Sequence, residues 1–399
     1  MEEESKLKWW HGLLFFILCM LILFFGGGVL VTLFGKTGGY MVSLLFALIA
    51  LLITFLSGER VTRIVPMKLP PIRQAVGALG MLIGTKMLSS AIGVFLVRII
   101  PNYADRNQQI STYVSELSPF LAILVIAVLP AICEEIACRG FMGACFGSLK
   151  NDKLTILFTA LMFGALHGDL YAFFATSLVG ALFAYLMLRT GSLLLPMLLH
   201  FLNNAYSVVM VYLMSHNEKV YEAINVAGDF STMPLTKTVF LSLFYLGIAV
   251  SFLYFSYCLF EKRSVFNKKG LIVLIVSALL YTVGNFGVAF ASVRYHTLWS
   301  ESCTVGEVRE EVYTFEIEKE GRYQLALEGR SEDAFAVLLL YEDEEVLKKE
   351  GTSTVSVQKT LTLSPGSYSL CLIGDEDEET TDGKEERTVT VTLVIIEYV

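Results

Sequence analysis

The chain is poor in charge. Only 17% of its 399 residues are Asp, Glu, Lys or Arg, where a soluble globular chain carries about 25%. Prolines are few, nine in all, and the 31 glycines follow no collagen repeat. The seven cysteines include no CxxC pair and no metal-finger spacing. These shortages exclude a disordered segment, a fibrous protein and a disulfide-framed secreted miniprotein. What the chain has instead is apolar: 55% of its residues are hydrophobic and the mean hydropathy is +0.62. That balance indicates a polytopic membrane protein.

The net charge of −8 hides a split. Residues 1–299 hold 21 Lys and Arg against 14 Asp and Glu, whereas residues 300–399 hold 9 against 24. One chain with two such halves serves two environments. An acidic segment does not attract nucleic acid, and the basic excess is ordinary loop charge. No nucleic-acid partner is expected.

A helix needs about 20 mostly apolar residues to cross the hydrocarbon core of a bilayer. The sequence offers nine such segments, over about 11–34, 40–57, 75–97, 118–147, 154–168, 171–189, 193–214, 237–260 and 271–292. The first is too long an apolar run for a signal peptide, and no small-residue cleavage site follows it. Loop charge sets the orientation. Lys6, Lys8, Arg60, Arg63, Lys68, Arg73, Lys150, Lys153, Arg189, Lys262, Arg263, Lys268 and Lys269 gather on one side, against six cations on the other. The expectation is a cell-membrane protein with a cytoplasmic N-terminus and an extracytoplasmic C-terminal segment.

Beyond residue 300 the pattern changes. Runs at 312–318, 323–327, 336–341, 355–363 and 389–396 alternate or are rich in β-branched residues, with turn signals such as Ser364-Pro365-Gly366 between them. The expected fold class is therefore an all-α bundle of about nine transmembrane helices, followed by a small all-β, sandwich-like extracytoplasmic domain. The carboxylate-rich run 375–386 reads most simply as a solvated hairpin loop, with a calcium site as the second reading although the ligand spacing of a calcium loop is missing. Cys303 and Cys371 are the two thiols of this segment, and sequence leaves their pairing open.

The informative residues are polar groups inside apolar runs, because a carboxylate at mid-membrane costs at least about 2.5–3.5 kcal/mol. After the apolar stretch 121–132 come Glu134, Glu135 and Arg139. On a helix Glu135 and Arg139 share a face, while Glu134 is turned about 100° away. One carboxylate can pair with the guanidinium and leave the other as an acid/base. The alternative is a solvated, idle helix end. Span five ends in His167. Span seven aligns His200 and Asn204 at i,i+4, with Asn203 beside them, as catalytic groups or as helix–helix glue. Carboxylate, two imidazoles and an amide are the parts that activate a water and stabilise an oxyanion.

The residues Glu134-Glu135-Ile-Ala-Cys-Arg139, Phe163-Gly-Ala-Leu-His167 and His200-Phe-Leu-Asn-Asn204 resemble the EExxxR, FxxxH and HxxxN motifs of the CAAX-protease and bacteriocin-processing (CPBP) family of intramembrane endopeptidases. Order and separation agree, and the approach Thr190–Pro196 also looks like the family. The resemblance covers roughly residues 75–260. It divides the chain into an N-terminal two-helix extension (1–74), a protease core (75–260), an additional helix (261–299) and the acidic β domain (300–399).

The resemblance implies that Glu134 and His167 polarise the attacking water. It implies that His200 and Asn204 stabilise the oxyanion, and that Glu135 and Arg139 pair structurally. It leaves two forms of the site open: a metal-free glutamate enzyme, which is preferred, and a zinc enzyme with Zn2+ on Glu134, His167 and His200. No HExxH, GxSxG or GxGD occurs, which sets aside other membrane-protease classes. The implied partners are a membrane-associated peptide or protein substrate, the lipid bilayer, and an extracytoplasmic partner for the β domain. An idle scaffold or immunity protein of the same fold is the alternative, followed by an ion-coupled transporter. Lys86, midway along span three, is expected to balance a carboxylate, with Glu135 the candidate, or to reach a wet cavity.

Overall fold

The computed structural model describes residues 6–100, 114, 117–216, 233, 235–292, 295–305, 310–317, 320–330, 335–341, 344–351, 354–374 and 387–398. It divides into two compact units, Met1–Gly287 and Val288–Val399.

The first unit is helical. In chain order its longer helices among the described residues are α1 (Trp9–Phe34), α2 (Met41–Leu56), α3 (Ile72–Ile99), α4 (Pro119–Gly147), α5 (Asp152–Ala165), α6 (Leu170–Thr190), α7 (Leu194–His216), α8 (Leu235–Phe260) and α9 (Lys268–Ser292). Among the described residues seven are long and apolar enough to cross a membrane, so the chain is a multi-pass membrane protein. All nine segments expected from hydropathy fold as helices, but α2 and α5 have only 16 and 14 residues. At 1.5 Å per residue they reach about 24 and 21 Å, short of the roughly 30 Å hydrocarbon core.

Packing follows the apolar and small residues. Phe15 and Cys19 of α1 and Val42, Phe46 and Ala50 of α2 share a buried cluster with Ala137, Cys138 and Phe141 of α4. A second cluster joins Ala78 and Leu82 of α3 to Phe183 and Leu186 of α6 and Leu195 and Leu199 of α7. Helix α8 lies against α3 so closely that a Cβ at Gly77, Gly80 or Gly84 would overlap Phe260, Ser256 or Leu253. In lipid no hydrophobic force drives helices together, and such close backbone approach supplies the attraction. Outside the bilayer span, Glu261 accepts bidentate hydrogen bonds from Arg189 Nε (2.8 Å) and Nη2 (2.6 Å), tying the end of α6 to the end of α8.

The second unit has eight strands, β1 (Tyr295–Val305), β2 (Glu310–Ile317), β3 (Gly321–Arg330), β4 (Phe335–Tyr341), β5 (Glu344–Gly351), β6 (Thr354–Leu363), β7 (Gly366–Gly374) and β8 (Arg387–Tyr398). Two antiparallel sheets run β1-β8-β3-β6 and β2-β7-β4-β5, the strand order of a jelly roll. Phe315, Ile317, Tyr323, Leu325, Val337, Leu339, Tyr368 and Leu370 fill the space between them. The five strands expected from sequence are β2, β3, β4, β6 and β8. Strand β5 gives no strand pattern because it is an edge strand rich in charge of both signs, the usual protection of a free edge. In β7 the inward residues Tyr368, Leu370 and Leu372 alternate with small or polar ones, a signal too sparse to read alone. Cys371 is a buried free thiol. The run 375–386 and the side chain of Cys303 lie outside the described residues.

Candidate active site

The site is built on α4. Helix α4 contains two π-helical stretches, Ile123–Val128 and Ile136–Met142, the second directly after the two glutamates. π-Bulges inside α-helices concentrate at functional sites. Glu135 and Arg139 remain on one face, and Arg139 Nη1 donates to Glu135 Oε1 at 2.9 Å with both side chains fully buried. The solvated helix end is therefore not what the chain forms. The guanidinium lies over the ring of Phe163, 4.0 Å from its centroid, and Nη2 donates to the carbonyl of Gly180 at 3.2 Å. A Cβ at Gly180 would meet that same Nη2 at 3.2 Å and Ala160 Cα at 3.3 Å. Glycine is what lets α6 come this near.

His200 completes the chain of contacts. Its Nδ1 lies 2.9 Å from Glu135 Oε1. A carboxylate only accepts, so Nδ1 carries the proton and Nε2 is left for other work. That Nε2 faces Glu134 Oε2 at 3.9 Å. The imidazole is held edge-on to Phe163, with ring centroids 5.8 Å apart, and lies 5.5 Å from Phe183. Glu134 retains a wetted edge, with 19% of its side chain exposed, and its Oε1 accepts a hydrogen bond from Ser43 of α2 at 3.0 Å.

His167 sits in the turn after α5 and is exposed. Its Nδ1 is 2.9 Å from the carbonyl of Phe163, and its ring stands edge-on to the Phe163 ring at 5.0 Å. The carbonyl accepts, so Nδ1 is again the protonated nitrogen and Nε2 keeps a free lone pair. Phe163 is thus the common wall between the two imidazoles and the guanidinium.

Asn204 lies one turn after His200 on α7, and its amide has defined partners. Nδ2 donates to the carbonyl of Ile126 at 3.0 Å, and Oδ1 accepts from Asn203 at 3.0 Å. Pro130 has no N–H, so the Ile126 carbonyl four residues earlier lacks its α-helical donor. Asn204 supplies one, which is the bundle-glue role that sequence reasoning set beside the catalytic one. The start of α7 is fixed in turn by Ser192, whose hydroxyl accepts from Lys68 N–H and donates to Lys68 C=O, each at 2.8 Å.

The structure therefore joins Glu134, Glu135, Arg139 and His200 directly and sets His167 on the same phenylalanine. Among the described residues, no group of three or more His, Cys, Asp or Glu is arranged to hold a metal ion. Glu134, His167 and His200 do not converge as such a set. Lys86 is not the counter-ion of Glu135, whose Oε1 is shared by Arg139 and His200. Sequence reasoning missed Ser43, Gly180 and Phe183. Only Ser43 carried a signal: with Thr54 it supplies the sole hydroxyls of the apolar α2.

Residues 116–206 match the family model described as Rce1-like, type II CAAX prenyl endopeptidase Rce1-like. The matched segment contains Glu134, Glu135, Arg139, His167, His200 and Asn204, and the match agrees with the CPBP resemblance carried by their motifs. No curated protein matches the chain. No solved structure matches it either.

Proposed function

We propose that the helical unit is an intramembrane endopeptidase that hydrolyses peptide bonds of membrane-associated peptides or proteins by glutamate-type chemistry. One observation carries the reading: Glu134 faces His200, whose other nitrogen is anchored on the buried Glu135–Arg139 pair. Glu134, at the wetted edge of the site, takes a proton from water as the water oxygen attacks the scissile carbonyl. His167 orients that water through its unprotonated Nε2. The negative charge formed on the carbonyl oxygen is met by His200, which Glu135 holds in place much as the buried aspartate of a triad orients its histidine, and by the second amide hydrogen of Asn204. Collapse of the intermediate breaks the C–N bond, and Glu134 returns its proton to the leaving amine.

The matched family's description names CAAX prenyl endopeptidases. A C-terminal tail held at the membrane by a lipid is accordingly the substrate class tested first, beside unmodified peptide precursors. The reading includes a cytoplasmic N-terminus and an extracytoplasmic β domain serving a partner or the substrate. The test compares protein termini in membranes carrying the natural protein or Glu134→Gln at equal abundance, each with and without a chelator. Termini that vanish in the variant support the proposal and identify substrates. Identical termini in a folded variant overturn it, and chelator-sensitive cleavage would replace the glutamate chemistry by metal chemistry.

A further inference from the structure

Lys86 stands close to the middle of the 28-residue helix α3. At 1.5 Å per residue it is about 20 Å from either end, and the four-carbon stem of a lysine cannot carry its ammonium to either bilayer surface. The side chain is half-buried. Among the described residues no hydrogen bond or ion pair holds it. Glu134 is engaged with Ser43 and His200, Glu135 with Arg139 and His200, and Glu261 with Arg189. An unpaired charge at this depth is costly and marks a functional site by default.

The packing of α3 fixes the side that Lys86 faces. Helix α8 covers the side carrying Gly77, Gly80 and Gly84, and helical periodicity puts Leu82, Lys86 and Ser89 on the opposite one. Leu82 shares a buried cluster with Leu182 and Phe183 of α6 and Leu199 of α7. Ser89 shares a small cavity with Phe174 and Leu178 of α6. Lys86 lies between these two contacts, at the junction of α3, α6 and α7. Helices α3 and α7 both leave from the clamp between Lys68 and Ser192, and one turn after Leu199 on α7 comes Asn203. Two further polar atoms are buried without a hydrogen-bond partner here, Ser89 Oγ and Asn203 Oδ1. The junction adjoins the glutamate site: Asn203 donates to Asn204 Oδ1 at 3.0 Å, and Phe183 lies 5.5 Å from His200.

We propose that Lys86, assisted by Ser89, is a substrate-positioning subsite that takes a carboxylate of the peptide, either its free C-terminus or an acidic side chain. The proposal rests on the proteolytic reading above. An ammonium and a hydroxyl one turn apart on one helix face can both donate to one carboxylate. The charge pair then forms only when substrate is bound, so the lysine is retained where it costs folding stability. A water-poor site built to hold a carboxylate rejects the analogue that lacks it.

The test uses three apolar fluorescent peptides in detergent micelles: a free C-terminal acid, its C-terminal amide, and that amide with one glutamate beside the end. Binding is read on Glu134→Gln protein, independently of turnover, and cleavage on the natural protein. The acid should bind about tenfold or more tightly than the plain amide, and Lys86→Met in the same background should abolish the difference. Binding of the glutamate-bearing amide as tightly as the acid also supports the subsite and assigns it to an acidic side chain. Lys86→Met removes an unpaired charge from the membrane and should melt no lower than the natural protein. Ser89→Ala is the second variant, and it should weaken binding of the acid severalfold and leave the amide unchanged. Equal binding of the acid and both amides, or a folded Lys86→Met protein that keeps the preference, overturns the proposal. Carboxylate-selective binding without cleavage of any peptide would instead overturn the proteolytic reading, with the carboxylate site standing.

Discussion

Ser43 of α2 donates its hydroxyl proton to Glu134 Oε1 across 3.0 Å and 91 residues of sequence. The contact draws the N-terminal helices, which lie outside the motif-bearing core, into the candidate site. It holds one carboxylate oxygen of Glu134 and leaves the other toward His200.

Ser43→Ala should leave the protein folded and slow peptide hydrolysis. A hydrogen bond to a charged carboxylate is worth about 1.5–3 kcal/mol net, which corresponds to roughly ten- to 150-fold in rate if the whole of it goes to positioning the base. Single-turnover cleavage of a substrate identified by terminus mapping checks this. An unchanged rate would reduce Ser43 to a packing residue.

The Glu135–Arg139 pair lies wholly in the interior. Glu135→Ala or Arg139→Ala alone should cost about 3–5 kcal/mol, because each strands an opposite charge away from water. The double change Glu135→Met/Arg139→Met should cost less than either single change. Melting temperatures of the three variants in one detergent decide it.

Pro130 and Asn204 form a testable couple. Asn204→Ala removes the donor to Ile126 and should lower stability by about 0.6–2 kcal/mol. Pro130→Ala restores a backbone N–H able to serve that carbonyl, so adding it should recover much of the loss. The coupling energy of the double-mutant cycle is the readout. Activity measured on the same proteins separates the two roles of Asn204: a stable double variant that still hydrolyses poorly needs the amide for chemistry.

Glu261, beyond the end of α8, has its pKa lowered by the hydrogen bonds from Arg189, with a smaller contribution from Tyr185. A carboxylate with a depressed folded-state pKa stabilises the fold above its unfolded value, near 4.3, and loses that stabilisation as pH falls through the folded value. The melting-temperature difference between the natural protein and Glu261→Gln should therefore be largest near pH 6–7 and should shrink steadily below about pH 4. The effect is small, since Arg189 is half exposed and the pair is screened.

Much of this protein is written locally. Apolar runs located the nine longer helices of the described residues, because lipid admits only segments that satisfy their own backbone. The i,i+4 spacing put Glu135 and Arg139 on one face and turned Glu134 away, before any neighbour was known. Charge and alternation separated the C-terminal β unit and located the five strands whose side chains repeat clearly. Tertiary structure decided what those groups meet. The bonds from Ser43 to Glu134, from His200 to Glu135, from Asn204 to Ile126 and from Arg139 to Gly180 span 91, 65, 78 and 41 residues. Such partners depend on how helices cross and on where a glycine permits close approach, and no local pattern encodes either. The same holds for edge strand β5, which is recognisable only once its neighbours are in place.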